Sequence, residues 1–405
     1  MIYPLYIDPG TGSALFSILI GAAAAVYFLF RAFFIKFKFY IFGGRGNAAS
    51  KKLSPYVIYC EAKHYWNVFK PIVDEFESRS IELLYLTSAH DDPIFKMQNK
   101  FVEAQYIGEG NKAFARLNFL SAGVVLMTTP GLDVFQMKRS KTVNHYAHIL
   151  HASSDATMYS MFGIDYFDSV LLCGDYQSKD IRCLEQMRNL GEKQLPVVGC
   201  TYLDVSLEKI KNLPKEENHT FTVLVSPSWG SSALLSKYGK KLLDPLIQTG
   251  WRIIVRPHPQ SKKSESEMLN SLTTYYNTTP NLEWDYENEN IFSMSKADIM
   301  ISDFSGIIYD YTFLFDKPIM YVNEKLNLDP YDAGFLEEEL WQFKTLRKIG
   351  IELKEEEFAS IGEIIKKASC SNELKEARSI AKKTAWQHQG EAGKRAVDFM
   401  IAQLK

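Results

Sequence analysis

From about residue 53 onward, short apolar runs alternate with longer stretches whose apolar positions recur at helical spacing. YVIYC at Tyr56, IELLYL at Ile81, AGVVLM at Ala122, AHIL at Ala147, SVLLC at Ser169 and PVVGC at Pro196 read as buried strands. Trp66 to Ser78 and Lys179 to Leu190 read as amphipathic helices between them. The polar stretch LPKEENHT, Leu213 to Thr220, interrupts the pattern. The alternation then resumes with FTVLVS at Phe221, WRIIVRP at Trp251, NLEW at Asn281, ADIMIS at Ala297 and PIMYV at Pro318, and closes with a helix from Glu391 to Gln403. Strands alternating with helices predict an α/β protein with two Rossmann-like parallel-sheet lobes, residues 51–212 and 213–405. Two such lobes side by side face a cleft, and ligands are expected in the loops after the strands' carboxyl ends.

Residues 1–50 carry a different pattern. Ala14 to Phe30, ALFSILIGAAAAVYFLF, has no charge, and the stretch to Phe34 counts 21 residues interrupted only by Arg31. As a helix it matches the roughly 30 Å hydrocarbon layer of a bilayer. A cleaved signal peptide wants positive charge ahead of the apolar run, and only Asp8 precedes it here. The following FFIKFKFYIF, mixing aromatic and basic residues, leaves a helix lying in the interface as the alternative. Arg31, Lys36, Lys38, Arg45, Lys51 and Lys52 all follow the run, with no acidic residue between Asp8 and Glu61. That asymmetry predicts a membrane protein with a single amino-terminal helix and both lobes in the cytoplasm.

Composition narrows the function classes. With 405 residues, 46 % apolar and 23 % charged, the chain is globular and long enough for two cores. A net charge of -2 lacks the basic face that nucleic acid requires, so no nucleic-acid partner is expected. Cys60, Cys173, Cys183, Cys200 and Cys370 form no CxxC pair and are odd in number. They read as reduced thiols rather than a disulfide frame or a zinc site.

The chemistry is sought in the loops. IMISDFSG, Ile299 to Gly306, places Ser302, Asp303, Ser305 and Gly306 between a strand and the apolar helix IIYDYTFLF. Such a turn binds phosphate through free amides, or serves simply as a helix cap. RIIVRPHP holds His258 between two prolines after a strand that ends at Arg256, a stiff setting for a titratable ring. Arg256 reads either as a phosphate ligand or as the partner of a surface carboxylate. SPSWG, Ser226 to Gly230, offers Ser226, Ser228 and Trp229 as the wall of a nucleotide pocket, although a tryptophan packed between sheet and helix explains the motif equally. In VNHYAHILHA, His145, His148 and His151 are three apart, a spacing that alternates faces along a strand and disfavours a metal cluster. His151, at the strand's end, is the one placed for work in a cleft.

These loops resemble the CDP-glycerol glycerophosphotransferase family, whose members make teichoic-acid-like polymers on the GT-B fold. The resemblance rests on SPSWG near Ser226, RPHP at Arg256, ADIMISDFSGIIYDYTFLFDKPIMYV from Ala297 and QGEAGKRAVDFM near Gly390. It implies a donor site at His258, Ser302, Asp303, Ser305 and Asp310. The family often has His-Gly-Thr-Pro-Leu-Lys where this chain has His151-Ala-Ser-Ser-Asp-Ala, which keeps the histidine and loses the glycine and lysine. The implied reaction passes a polyol phosphate from CDP-glycerol or a related CDP-polyol to a hydroxyl of a membrane-associated or lipid-linked glycan acceptor, releasing CMP. His151 is the candidate base, while His258, the amides around Ser305 and Arg256 hold the diphosphate. No cofactor and no metal are expected. A GT-B glycosyltransferase using a nucleotide sugar, and a non-catalytic scaffold of a polymer machine, are the competing readings.

The full chain is expected to sediment with membranes, and a chain beginning near Leu53 to stay in the supernatant. Digestion of the lobes by protease added outside intact cells would contradict the cytoplasmic orientation.

Overall fold

The apolar runs of the first lobe pair into a six-stranded parallel sheet. The computed structural model describes residues 26–27, 30–31, 53–214, 219–287, 289–324 and 326–404. Its first sheet holds β1 (Ser54–Cys60), β2 (Leu83–Thr87), β3 (Val102–Tyr106), β4 (Ser121–Met127), β5 (Thr142–Ile149) and β6 (Ser169–Leu171), in the order β3-β2-β1-β4-β5-β6. Val57 of β1 sits opposite Leu84 on one side and Val125 on the other. The last five residues of β1 and the last six of β4 are all buried. With helices covering both faces, these strands are continuous apolar runs instead of alternating ones.

The second sheet repeats the plan with β7 (Thr222–Val225), β8 (Arg252–Val255), β9 (Leu282–Trp284), β10 (Ile299–Ser302), β11 (Ile319–Tyr321) and β12 (Gly350–Glu352), ordered β12-β11-β10-β7-β8-β9. In each sheet the strand order reverses direction at one place, between β1 and β4 in the first and between β7 and β10 in the second. The loops leaving neighbouring strands diverge there and open a crevice for ligand.

Two strands depart from the sequence reading. β3, VEAQY, buries only its first residue, and β12 has three residues; both lie at sheet edges, where little apolar surface is needed. Conversely PVVGC forms no strand, and Val197 contributes a single parallel bridge to Leu172.

The last helix, Ala392–Ala402, also departs from the expected assignment to the second lobe. Its Ala396, Val397 and Met400 join the core that Ile72, Val73 and Phe76 form in the first lobe. A Cβ on Gly393 would lie 2.6 Å from the Pro71 carbonyl oxygen, so glycine permits the close approach to the helix Trp66–Ser78. Asp204 fixes the entry to this helix by accepting from Trp386 Nε1 (2.9 Å) and from the amides of Gly390 (2.8 Å) and Ala392 (3.2 Å).

A second tie joins the lobes through Asp332, a fully buried carboxylate on the second-lobe segment that follows β11. It accepts from the amides of Phe162 (2.8 Å) and Gly163 (3.3 Å) and pairs with Arg188 (2.6 Å). Arg188 also bonds Asp165 at 2.6 Å and lies over the rings of Phe162 and Phe335. Nearby, Asp155 of the first lobe accepts from the Gln342 amide at 2.8 Å.

Residues 1–52 and 53–405 form two separate units. The expected membrane segment, residues 14–34, lies outside the described residues apart from four helical positions. Among the described residues no helix is long and apolar enough to cross a membrane.

Asp332→Ala leaves Arg188 with Asp165 and strips two amides of their acceptor. The substitution is expected to cost about 3 kcal/mol of unfolding free energy in urea titration, the scale of breaking a buried ion pair. A loss below about 1 kcal/mol would show that this tie carries little of the stability.

Candidate active site

The carboxyl ends of both sheets border an open cleft of about 1520 Å³. On the second-lobe side the wall starts at the turn between β10 and the helix Ile307–Phe315. Asp303 is buried, and its carboxylate accepts from the amides of Ser228 (2.9 Å), Leu234 (2.9 Å) and Ser305 (3.2 Å). Ser302 is buried as well, and its hydroxyl donates to the Ser226 carbonyl at 2.6 Å. Both side chains were expected to hold donor. They instead tie the loop after β7 to the loop after β10 across the point where the strand order reverses, and neither lines the cleft. Ser228 likewise stays within the lobe. Ser305, Gly306 and Ile307, at the amino terminus of the helix, do line the cleft.

The loop after β8 supplies the next part of the wall. Arg256 is buried and lines the cleft, yet its terminal nitrogens bond Asp285 (2.6 Å) and the Glu287 carbonyl (2.8 Å). Of the two readings for this arginine, the ion pair is the one formed, because a guanidinium this buried needs a counter-charge. His258 lines the cleft, and its Nδ1 accepts from the Gln260 amide at 3.1 Å. That bond fixes the tautomer, so Nε2 carries the proton and is a donor. Burial holds the ring's pKa below its usual value, with Glu265 and Asp303 opposing, which keeps it neutral. The Trp229 ring lies 6.3 Å from that of His258 and is 48 % exposed, so it flanks the histidine rather than packing in the core.

One turn into the helix, Asp310 reaches the same cleft. Burial raises its carboxyl from the usual 3.8 to about 7, against the effect of the neighbouring Tyr202 hydroxyl. Tyr202 lines the cleft from the helix Thr201–Lys211, a residue the sequence reading did not single out.

The first-lobe wall differs from expectation. His151 follows β5, but it is not among the cleft-lining residues. Its Nδ1 lies 3.2 Å from the Thr128 hydroxyl and 3.0 Å from that of Tyr159, and the Tyr65 ring is edge-on at 5.3 Å. Burial, and after it the charge of His64, lowers the His151 pKa to about 4. His148 is fully buried against Tyr159 and Phe167, while His145 bonds the Ser169 hydroxyl at 2.9 Å. The first-lobe histidine that lines the cleft is His64, in the loop after β1. The rule that ligands meet strand ends, applied to KHY after YVIYC, points to it. The apolar start of the next helix drew the reading past it.

Two facing parallel-sheet lobes, with ligand loops at both crossover points, give the molecule a GT-B-like architecture. Residues 205–367, most of the second lobe, match the family described as CDP-Glycerol:Poly(glycerophosphate) glycerophosphotransferase. Among solved structures, the wall teichoic acid polymerase TagF, as a histidine-to-asparagine variant with CDPG, is similar over 93 % of this chain and 97 % of its own, with TM-score 0.57 and 14 % identity. A putative UDP-N-acetylglucosamine 2-epimerase from Listeria monocytogenes aligns with TM-score 0.59 and 10 % identity, over 87 % of this chain and 97 % of its own. The UDP-GlcNAc 2-epimerase from Methanocaldococcus jannaschii aligns with TM-score 0.54 and 15 % identity, over 86 % and 99 %. These likenesses concern the fold, which polymerase and epimerase share. No curated protein sequence matches the chain.

The folded value of Asp310, about 7, lies above the ordinary carboxyl value, so the folded chain retains a proton that the unfolded chain releases. Its contribution to stability therefore falls as pH rises through the window between about 4 and 7. Asp310→Asn removes this dependence and is expected to raise the Tm more at pH 8 than at pH 5. An equal gain at both pH values would mean that Asp310 is ionised throughout.

Proposed function

We propose that the protein transfers a polyol phosphate, glycerol phosphate foremost, from a CDP-polyol to a hydroxyl of a membrane-associated or lipid-linked glycan acceptor, releasing CMP. The observation that carries this reading is the family match over residues 205–367, which includes both loops that build the second-lobe wall. The fold shared with a polymerase whose structure holds CDPG agrees with it. In this reading the diphosphate rests at the amino terminus of the helix Ile307–Phe315, where the amides of Gly306 and Ile307 and the helix dipole favour an anion. His258 donates from Nε2 to a phosphate oxygen. Trp229 flanks that ring, and Asp303 and Ser302 hold the two loops in register behind the site. Asp310 stands further along the same wall, beside Tyr202, on the polyol side of the donor.

Phosphoryl transfer of this kind needs little covalent help, so positioning and charge stabilisation carry the catalysis. The apolar segment of residues 14–34, charged only at Arg31, and the basic residues after it keep the lobes at a membrane, facing the cytoplasm, at the depth of a lipid-linked acceptor.

Purified protein incubated with CDP-glycerol, CDP-ribitol and a panel of UDP-sugars is expected to release CMP from a CDP-polyol and no nucleotide from the UDP-sugars. Release of UDP with formation of a glycoside would replace this reading by the glycosyltransferase one. A Cβ at Gly306 meets no atom within 4 Å, so Gly306→Val folds normally and fills cleft space. It is expected to weaken CDP-glycerol binding more than Ser305→Ala, which loses about 1 kcal/mol for one hydrogen bond. Unchanged affinity in both variants would remove the turn from the donor site.

A further inference from the structure

Resting on the transfer reading above, we propose that Asp155, in the first-lobe loop after β5, is a positioning residue for the donor: through the Gln342 peptide it holds the first turn of the helix Ile307–Phe315 at the cleft. The helix Trp341–Ile349 connects the two. Its own N-cap residue is Leu340, whose side chain offers nothing to the free amides of a helix start. The Asp155 carboxyl group, on a residue 3 % exposed, supplies that cap from the other lobe by accepting from the Gln342 amide at 2.8 Å.

The line continues into the donor wall. The Gln342 carbonyl accepts from the Tyr309 hydroxyl, and the Tyr309 amide in turn donates to the Gly306 carbonyl at 3.1 Å. Gly306 and Ile307 line the cleft, and their amides receive the diphosphate in the transfer reading. Gln342 and Tyr309 are both buried, so water does not compete for the bond between them. Aromatic rings run beside these bonds: Trp341 meets Tyr176 of the first lobe at 4.3 Å and Tyr309 at 5.7 Å. The Tyr176 hydroxyl donates to the carbonyls of Ser153 (2.9 Å) and Ser154 (3.2 Å), which fixes the loop that carries Asp155.

This arrangement is kept at a cost. Burial raises the Asp155 carboxyl to about 7, against the effect of the Gln342 amide, and a polar residue at the N-cap itself would avoid that burial. A cap from the other lobe has one effect that a local cap lacks: the donor turn is set only while the lobes are docked. The tie made by Asp332 joins the lobes as well, but its side chain bonds Phe162, Gly163 and Arg188, none of which lines the cleft.

The test compares purified full-length wild type, Asp155→Ala, Asp155→Asn, Tyr309→Phe, the double variant Asp155→Ala/Tyr309→Phe and Asp332→Ala, by calorimetric Kd for CDP-glycerol and by Tm. Asp155→Ala and Tyr309→Phe are each expected to raise Kd about tenfold, and the double variant no more than about twentyfold, because both cut the same line. Asp155→Asn keeps an oxygen acceptor and is expected to bring Kd back to within about threefold of wild type. Asp332→Ala lowers Tm without touching the line, and its Kd is expected to stay within about threefold of wild type, which separates positioning from stability alone. Tyr309→Phe removes no buried carboxyl group, so it carries the test if Asp155→Ala does not fold. A Kd for Tyr309→Phe within about threefold of wild type, effects that multiply to about 100-fold in the double variant, or a rise in Asp332→Ala equal to that in Asp155→Ala overturns the proposal and leaves the transfer reading in place. A wild-type protein that neither binds CDP-glycerol nor releases CMP from any CDP-polyol overturns the transfer reading itself, and the role of Asp155 falls with it.

Discussion

The Asp303 carboxylate organises the second lobe. It follows the last residue of β10 and collects amides from the loop after β7, from the helix beyond that loop and from its own turn. Parallel strands that reverse order have loops diverging to opposite faces of the sheet, and nothing in the strand ladder joins them. One buried acceptor with three donors makes that join, and the Ser302 hydroxyl adds a fourth bond on the Ser226 carbonyl. The aspartate meets the cost of burial through these amides. The amino terminus of the helix Ile307–Phe315 is thereby held open to the cleft at a fixed distance from the His258 loop. Mobile amides would lose much of their value as an anion site, because the benefit of such groups lies in being ordered before the ligand arrives.

The first lobe is built on a different balance. Its strand-end histidines are layered by burial, with His148 in the core, His151 beneath Tyr65 and Tyr159, and His64 at the cleft. Desolvation lowers the pKa of each, and the effect on His148 takes it to about 3. A ring that deep stays neutral throughout the physiological range and behaves as an aromatic packing group. The gradient sets chemically identical side chains in packed, half-buried and exposed surroundings without any change in residue type.

The legible parts of the fold are those where burial dictates composition. β1, β4, β7 and β10 are central and covered on both faces, so their apolar runs stand out. β3 and β12 are edges, and VEAQY and GIE carry no such signal. At the site, the turn after β10 and the RPHP loop were visible because serine, aspartate, glycine and proline punctuate strand ends. What remained hidden was direction. Sequence places Asp303 and Ser305 two residues apart in one turn, but only the fold turns the first inward to three amides and leaves the second at the cleft. His151 and His64 likewise both follow strands and differ in what covers them, which sequence does not show. The clasp between Asp204 and Trp386 joins residues 182 positions apart, and no local pattern announces it.

The return of the last helix to the first lobe bears on how the chain is made. Helix Ala392–Ala402 covers apolar residues of the helix Trp66–Ser78, and the amides at its start and the preceding Trp386 satisfy Asp204. During synthesis, which proceeds from the amino terminus, these first-lobe surfaces emerge more than a hundred residues before their cover. The early lobe therefore leaves the ribosome with Ile72, Val73 and Phe76 incompletely sheltered, and its core closes only once the helix Ala392–Ala402 has emerged as well. A chain that lacks the helix Ala392–Ala402 presents that exposed surface to chaperones and proteases, so synthesis of this helix doubles as the checkpoint for a folded first lobe.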